Sequence, residues 1–436
     1  MIRKTALAAL FIVLSLPTAA AASQSPETAF PATTAFERRA AELVAMLDGK
    51  IAFADYFDPT FQAALPETQF RAMTASLIAQ YGKPIAVEKS VSTDGRSGSV
   101  SLRFEKGVAA VLLDVGAGAD GRVIGLRLTG FEAADDSFAK VASEIAALPG
   151  ATGFLVAELD GATIRPLVAA NPDRHFAVGS TFKLYILDEL AAQVAAKKRR
   201  WSDVVPLSHL SFSSMGTANW PKDTPVTLQS LANWMISVSD NSATDTLIHV
   251  LGREAIEARM RVAGHSAPSR NIPFLTTVEA FALKGNNFEG ERAAFIAGDD
   301  ATQRKLIDAN QTRLTLVNVD GVSFAGSPRF INSLEWFASP NDIARLMIDL
   351  RNRNSPNAMS AMAINPGVNQ GATKDWAWLG YKGGSELGVI SMSLLGQRKS
   401  DGKWFVVTAS WNNSDASVAT DTMVALVTRL LALAAK

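Results

Sequence analysis

Residues 176–185 read Phe-Ala-Val-Gly-Ser-Thr-Phe-Lys-Leu-Tyr and place a serine and a lysine three residues apart. Residues at this spacing share one face of a helix, so Ser180 and Lys183 are expected to lie side by side. A serine hydroxyl is a weak nucleophile until a neighbouring base takes its proton. A lysine can be that base when apolar surroundings lower its pKa. The stretch supplies such surroundings, and the helix that follows is apolar at helical spacing; the residues concerned are Phe176, Val178, Phe182, Leu184, Leu187, Leu190 and Ala191.

Two further motifs follow in order along the chain. Ser239-Asp240-Asn241 stands at the end of a helix predicted over 227–237. Lys382-Gly383-Gly384 follows Trp376, Trp378 and Tyr381, whose alternation predicts a strand, and by itself the tripeptide would suit a hairpin turn. The three motifs resemble Ser-x-x-Lys, Ser-Asp-Asn and Lys-Thr-Gly, the pattern of class A β-lactamases and penicillin-binding D,D-peptidases. The resemblance covers about residues 132–436. It implies an α+β domain with an antiparallel sheet flanked by helices, a separate helical lobe, and the site in the seam between them.

The resemblance assigns the catalytic roles residue by residue. Ser180 would attack a carbonyl group and form an acyl-enzyme, with Lys183 as the nearest base. Ser239 would lie between Lys183 and Lys382 and relay a proton to the leaving nitrogen. Lys382 would attract a substrate carboxylate and help to lower the pKa of Lys183.

The same resemblance implies a set of substrate-binding groups. Asn241 would position a substrate amide. The backbone N–H groups of Ser180 and Ser385 would form the oxyanion hole, and Gly384, the last residue of the lysine motif, would be a substrate-binding residue beside Ser385. Asp240 would be structural and turn the chain between two helices.

The sequence departs from the family pattern in two places. Lys382-Gly383-Gly384 lacks the threonine hydroxyl that normally contacts the substrate carboxylate, and Ser385 is our suggested replacement. The Glu-x-x-Leu-Asn motif, whose glutamate activates the deacylating water in class A enzymes, is not found. Glu279 is the substitute that we consider, with an ordinary helix-surface acid as the alternative, and Glu289 is a poorer candidate. The long spacing before Lys382 indicates an insertion around residues 284–325.

The chain before this region predicts two further features. Residues 1–22 have a basic start, an apolar run and an alanine-rich cleavage site, which is typical of a secretory signal peptide. Residues 35–131 predict a small α+β domain, which resembles NTF2-like or cystatin-like domains in its element order. Its helices are predicted over 36–47 and 66–81, and its strands over 86–92, 97–104, 109–115 and 123–129.

Composition limits the other function classes. The 436 residues include no cysteine, which excludes disulfides, thiolate metal sites and a catalytic thiol. Lysine and arginine balance aspartate and glutamate at 42 each, so charge gives no argument for nucleic acid or anionic membranes. The four histidines are scattered along the sequence without a His-Glu-x-x-His motif. We therefore expect no metal, no cofactor, a small-molecule partner and no membrane span in the mature chain; the oligomeric state stays open.

These observations predict a periplasmic serine acyl hydrolase that acts through an acyl-enzyme on Ser180. β-Lactam hydrolysis is the leading activity, and ester hydrolysis or D,D-peptidase action on peptidoglycan-like peptides is the alternative. A second hypothesis is a β-lactam or peptidoglycan-fragment binder that acylates without turnover, because the expected glutamate motif is missing. A third is an interaction protein built on an inactive enzyme fold. The presence of Ser180, Lys183 and Ser239 together argues against the third.

Overall fold

The computed structural model describes residues 34–134, 136–368 and 370–436. The predicted signal peptide lies outside these residues. Among the residues described, no helix has the length and apolar character needed to cross a bilayer.

The first part of the chain forms four helices followed by a four-stranded antiparallel sheet in sequential order. The helices are α1 (Ala35–Leu47), α2 (Phe53–Tyr56), α3 (Pro59–Ala64) and α4 (Glu67–Tyr81); the strands are β1 (Pro84–Ser92), β2 (Ser97–Phe104), β3 (Gly107–Val115) and β4 (Val123–Ala133). The two predicted helices and four predicted strands are confirmed, whereas α2 and α3 were not predicted. The sheet packs its alternating apolar residues against α1. The assignment to NTF2-like or cystatin-like domains and the boundary near residue 131 stay predictions.

A five-stranded antiparallel sheet forms the framework of the remaining chain. Its spatial order is β11-β12-β13-β5-β6, with β5 (Ala151–Asp160), β6 (Thr163–Ala170), β11 (Trp376–Glu386), β12 (Val389–Arg398) and β13 (Trp404–Asn412). The strands nearest the two ends of this region therefore pair in one sheet, as the sequence predicted. The first and last helices cover one face of the sheet with their apolar stripes; they are α5 (Phe138–Ala146) and α16 (Thr420–Ala434).

The opposite face of this sheet packs against a helical lobe. The lobe begins with β7 (Phe176–Ala177), a 3-10 turn (Gly179–Phe182) and α6 (Lys183–Ala195). It continues with β8 (Val204–Pro206), β9 (Pro225–Thr227), α7 (Leu228–Ser237), α8 (Asn241–Leu251), α9 (Arg253–Val262), α10 (Thr277–Lys284), α11 (Glu289–Ala297), α12 (Asp300–Asn310), β10 (Phe337–Ala338), α13 (Pro340–Asn352) and α14 (Pro356–Ala363). The short helix α15 (Gln370–Thr373) follows the lobe and packs against α16. Helix α6 is the centre of the lobe, because it is buried on most sides among α7, α8, α9 and α13.

The sheet and the lobe meet where strand β11 passes the start of α6. A side chain at position 384 would place its Cβ 2.3 Å from the Ser180 backbone nitrogen, so glycine is required for this close approach. Lys382 lies two residues earlier on the same face of β11, because successive residues of a strand point to opposite faces. The predicted seam between sheet and lobe therefore contains both Ser180 and Lys382.

Candidate active site

Ser180 lies in the 3-10 turn that leads directly into α6, and it is partly exposed. Gly179 before it has a φ of 47°, a left-handed conformation that glycine adopts without strain. The first N–H groups of a helix have no partner within the helix. Ser180 therefore presents both its hydroxyl and an available backbone donor at the edge of β11.

Lys183 is completely buried, with 0% of its surface exposed. Its Nζ atom donates to the Ser239 carbonyl oxygen at 2.7 Å and to Asn241 Oδ1 at 2.5 Å, and it lies 3.1 Å from Ser239 Oγ. The apolar residues that were expected around it, including Phe182 and Val178, are buried as well. Lys183 is thus held in a fixed position by three oxygens in apolar surroundings.

Ser239 connects α7 to α8 in a conformation that serine rarely adopts. Its φ is 60°, in the left-handed region, where a non-glycine residue costs free energy and is over-represented at active sites. Asp240 holds this turn, because its carboxylate caps α8 at Ala243 N and also accepts from Gly216 N and Thr217 N, each at 2.8 Å. The structural role that the sequence predicted for Asp240 matches these contacts.

Lys382 reaches Ser239 from the sheet side. Its Nζ atom donates to Ser239 Oγ at 3.0 Å and to the Gly383 carbonyl oxygen at 2.6 Å, and the residue is 2% exposed. The Ser239 hydroxyl therefore lies between the amino groups of Lys183 and Lys382, as the family resemblance implied.

Both lysines have a lowered pKa, and burial is the main cause in each case. Burial lowers the pKa of Lys183 to about 7, although the carboxylates of Asp245 and Asp240 act in the opposite direction. Burial lowers the pKa of Lys382 well below its usual value, and the positive charge of Lys183 lowers it further. The family resemblance implies that the charge of Lys382 helps to lower the pKa of Lys183. In the structure, burial is the cause of the lowered pKa of Lys183, because its amino group has no access to water.

Asn241 binds protein groups on both sides of its amide. Its Oδ1 accepts from Lys183 Nζ, and its Nδ2 donates to the Phe212 carbonyl oxygen at 2.7 Å. The structure therefore places Asn241 beside the lysine, while its predicted contact with a substrate amide stays a prediction.

Ser385 is exposed at the position expected for the second oxyanion donor. A Cβ atom on Gly179 would lie 3.0 Å from the Ser385 backbone nitrogen, so this N–H group is next to the turn that carries Ser180. Two backbone donors on rigid elements are thus available side by side, which is the arrangement that stabilises a developing negative charge on a carbonyl oxygen.

The missing threonine of the lysine motif has a structural explanation. A Cβ atom on Gly383 would lie 2.0 Å from the hydroxyl oxygen of Tyr381. The Tyr381 hydroxyl therefore occupies the space in which a threonine side chain would begin. Ser385, the residue that the sequence suggests for the lost hydroxyl, is exposed two residues further along the strand, and its contact with a substrate carboxylate stays a prediction.

The structure gives Glu279 contacts other than those of a deacylation base. Its two carboxylate oxygens accept from Arg253 Nη1 and Nη2 at 3.0 and 2.7 Å. One of them also accepts from the Thr276 backbone N–H at 2.7 Å, which completes a capping box at the start of α10. These contacts describe a buried helix cap that is paired with an arginine, so Glu279 is not the helix-surface acid of the alternative, and its role as deacylation base stays a prediction. Glu289 begins α11 and has an exposed side chain.

The histidines, scattered in sequence, come together in two pairs. The rings of His209 and His249 stack with centroids 3.6 Å apart. The rings of His175 and His265 stack near Asp342. One ring nitrogen from each histidine and one carboxylate oxygen of Asp342 all lie within 4.8 Å of one another. His265 Nδ1 accepts from the Ala267 backbone N–H at 3.0 Å, and Nε2 lies 2.8 Å from the Phe337 carbonyl oxygen. Both ring nitrogens of His265 thus bind protein groups, so the cluster is built as a hydrogen-bonded support.

Sequence analysis missed Asp245, which supports the site from behind. Asp245 is buried, accepts from the backbone N–H groups of Thr277 at 2.7 Å and Val278 at 2.9 Å, and so joins α8 to the start of α10. Burial raises the pKa of Asp245 to about 6, although these hydrogen bonds lower it. The signal was available, because an acid four residues after Asn241 lies on the same helix face as a residue that binds Lys183.

A buried ion cluster at the end of β11 was also missed. Lys284 Nζ donates to both carboxylate oxygens of Glu386, at 2.7 and 2.8 Å, and it also binds Glu335. Burial and the neighbouring Glu335 raise the pKa of Glu386. The cluster joins α10 to the strand that carries Lys382 and Ser385, and so fixes one side of the seam.

The beta-lactamase enzyme family model matches residues 136–366. A β-lactamase from Sphaerobacter thermophilus has 20% identity and a TM-score of 0.47, with 69% of this chain and 97% of that chain covered. PBP-A has 14% identity and a TM-score of 0.45, with 68% and 93% covered. A β-lactamase from Chitinophaga pinensis has 16% identity and a TM-score of 0.44, with 68% and 96% covered. No curated protein matches.

Proposed function

The chain belongs to the beta-lactamase enzyme family, and we propose that it is a periplasmic serine acyl hydrolase that hydrolyses β-lactams through an acyl-enzyme on Ser180. One observation carries the proposal: two buried lysines bind the same hydroxyl, that of Ser239, next to an accessible serine at a helix start. The predicted signal peptide over residues 1–22 supports the periplasmic location.

Acylation begins with a proton transfer from the Ser180 hydroxyl to the neutral amine of Lys183. With a pKa of about 7, a substantial fraction of Lys183 is neutral at physiological pH. Ser180 Oγ then bonds to the lactam carbonyl carbon, and the carbonyl oxygen becomes an oxyanion. The backbone N–H groups of Ser180 and Ser385 donate hydrogen bonds to that oxyanion.

The lactam ring opens when its carbon–nitrogen bond breaks, and the leaving nitrogen needs a proton. The Ser239 hydroxyl supplies this proton and takes one in return from the ammonium group of Lys183 or Lys382, each within 3.1 Å of Ser239 Oγ. The product of this half-reaction is an ester between Ser180 and the ring-opened acyl group. Lys382 also donates a hydrogen bond to a substrate carboxylate in this proposal, the role that the family resemblance implies for it.

Deacylation requires a water molecule to attack the ester, with a base to take its proton and a proton returned to Ser180 Oγ. Glu279 is the candidate for this base, but its carboxylate accepts hydrogen bonds from Arg253 and from the Thr276 backbone N–H. This observation favours a second candidate function, a β-lactam or peptidoglycan-fragment binder in which the ester persists. Ester hydrolysis uses the same acylation steps, but its leaving group needs the Ser239 proton less.

Turnover of a chromogenic cephalosporin by the wild-type protein and by Ser180→Ala tests the proposal. We expect sustained hydrolysis over many turnovers by the wild type and none by Ser180→Ala, with circular dichroism showing that both are folded. A burst of one product per protein molecule would instead establish the binder. Equal hydrolysis by the two proteins would rule out a serine mechanism.

A further inference from the structure

A cavity of about 190 Å³ lies beside the site and has no role in the steps above. Ser385, the second oxyanion donor, contributes to its wall. Phe212 lines it as well, and the carbonyl oxygen of Phe212 accepts the hydrogen bond from Asn241. The cavity is therefore next to the position of the acyl group on Ser180.

Three phenylalanine rings form the apolar part of this cavity. Phe212 and Phe281 are 5.3 Å apart between ring centroids, Phe281 and Phe324 are 5.3 Å apart, and Phe212 and Phe324 are 5.7 Å apart. The two pairs that include Phe281 are edge-to-face and the third is tilted, and edge-to-face pairs at these distances are favourable. A cavity of roughly 150 Å³ lined by apolar side chains is large enough to bind a benzene ring. The observed volume therefore suits a phenyl ring with a short linker.

Arg329 contributes a positive charge to the cavity wall. Its Nη2 donates to Asn286 Oδ1 at 2.9 Å, whereas its Nε–H is enclosed by protein atoms and has no hydrogen-bond partner among the described residues. A ligand in the cavity would therefore meet the charge of the guanidinium group rather than the Nε–H donor. A guanidinium group binds a carboxylate best, because the two groups match in charge and in planar geometry.

Glu386 places a carboxyl group in the cavity wall. Lys284 donates to both of its carboxylate oxygens and also binds Glu335, so one ammonium group faces two carboxyl groups. Burial and the neighbouring Glu335 raise the pKa of Glu386, which favours its uncharged form and weakens its repulsion of an anionic group near Arg329.

We propose that this cavity binds the acyl side chain of the substrate, and that it prefers an aromatic ring that carries a carboxylate next to the linker. The inference rests on the proposed function, because it places the acyl group on Ser180. It assigns the selectivity to the segment over 284–330, most of which sequence analysis had described as an insertion. Phe324 and Arg329 come from that segment, whereas Ser180, Lys183 and Ser239 come from the motifs.

Three penicillins that share one nucleus and differ in the acyl side chain provide the test: acetyl, phenylacetyl and phenylmalonyl. The rate constant for acylation of Ser180 is measured for each by intact mass. We expect an increase on the order of tenfold or more from acetyl to phenylacetyl, because the ring leaves water, and a further increase for the added carboxylate.

Two variants separate the ring from the carboxylate. Phe324→Leu keeps an apolar residue and should reduce the advantage of phenylacetyl over acetyl. Arg329→Gln should remove the advantage of phenylmalonyl over phenylacetyl and leave the ring effect in place. Val322→Ala is the control from the same segment, because Val322 is 83% exposed, and it should leave all three rate constants unchanged.

Ratios between substrates within one variant are insensitive to partial loss of folded protein. Equal acylation by the three penicillins in the wild type would overturn the inference and leave the proposed function intact. Ratios that Arg329→Gln and Phe324→Leu do not change would also overturn it. No acylation of Ser180 by any of the three would overturn the proposed function and the inference together.

Discussion

Lys183 and Lys382 approach the same hydroxyl oxygen, Ser239 Oγ, from opposite sides at 3.1 and 3.0 Å. Two ammonium groups this close repel each other in a buried site, so the pair favours states in which one amine is neutral. The Ser239 hydroxyl is within hydrogen-bond distance of both amines, so a proton can pass between them through it. The arrangement therefore lets one lysine act as a base while the other keeps the positive charge.

The pH dependence of acylation follows from the pKa of Lys183. Because burial lowers this pKa to about 7, Lys183 is protonated and inactive as a base below that pH. We expect the second-order acylation rate constant to rise with pH through about 7 and to fall about tenfold per pH unit on the acid side. A rate constant that stays level down to pH 5, in protein shown to be folded, would contradict the role of Lys183.

Replacing Lys183 by arginine separates charge from basicity. Arginine keeps the positive charge but does not lose its proton at accessible pH. We expect Lys183→Arg to lower the acylation rate constant by roughly 10²–10⁴-fold, the usual contribution of a general base. Lys382→Arg is the matched comparison, and it should lose less because a cation is sufficient at that position. A small loss in Lys183→Arg, no larger than the loss in Lys382→Arg, would show that Lys183 acts through its charge alone.

Removing the Ser239 hydroxyl should affect lactams more than activated esters. An aryl ester has a good leaving group that needs no proton, whereas a lactam nitrogen does need one. We expect Ser239→Gly, which also suits the left-handed backbone at φ 60°, to lower the kcat/KM for a cephalosporin by about 10²-fold or more. The kcat/KM for an aryl ester should change far less. A parallel loss on both substrates would argue against proton relay by Ser239.

The two glycines of the lysine motif should respond differently to a side chain. At position 384 the new Cβ would meet backbone atoms of Val178 and Ser180, which cannot move without displacing the nucleophile. At position 383 it would meet the Tyr381 hydroxyl, which is the end of a side chain. We therefore expect Gly384→Ala to abolish acylation, and the double variant Gly383→Thr with Tyr381→Ala to retain more activity than Gly383→Thr alone. Initial rates with one cephalosporin provide the comparison.

Glu279→Gln should weaken the fold and leave deacylation unchanged. Breaking a buried ion pair from one side costs about 3–5 kcal/mol, and Glu279 is paired with Arg253 at side-chain exposures of 9% and 18%. We expect a lower free energy of unfolding in denaturant titrations. A large loss of deacylation rate with unchanged stability would instead identify Glu279 as the deacylation base.

The contrast between Ser180 and Glu279 shows which features the sequence could predict. The order of the three motifs placed Ser180, Lys183, Ser239 and Lys382 in one site, and the structure brings these four residues together. Glu279 was singled out for its position in the chain. Its own neighbours indicated a cap, because Thr276 three residues earlier completes a capping-box pattern.

Other features required tertiary structure. His175 and His265 are far apart in sequence, and only the packing of separate segments brings them beside Asp342. The cavity near Ser385 is built by Phe212, Phe281 and Phe324 from three separate segments, and no local pattern joins them. The short helices α2 and α3 escaped prediction because four to six residues hold too few turns for a periodic pattern.

A time course of intact mass after mixing the protein with a cephalosporin tests the central claim most directly. We predict an adduct on the wild-type protein that peptide mapping assigns to Ser180, and no adduct on folded Ser180→Ala. The adduct should then disappear while hydrolysed lactam accumulates. Absence of any adduct on the folded wild type, or the same adduct on Ser180→Ala, would contradict the assignment of Ser180 as the nucleophile of a β-lactam hydrolase.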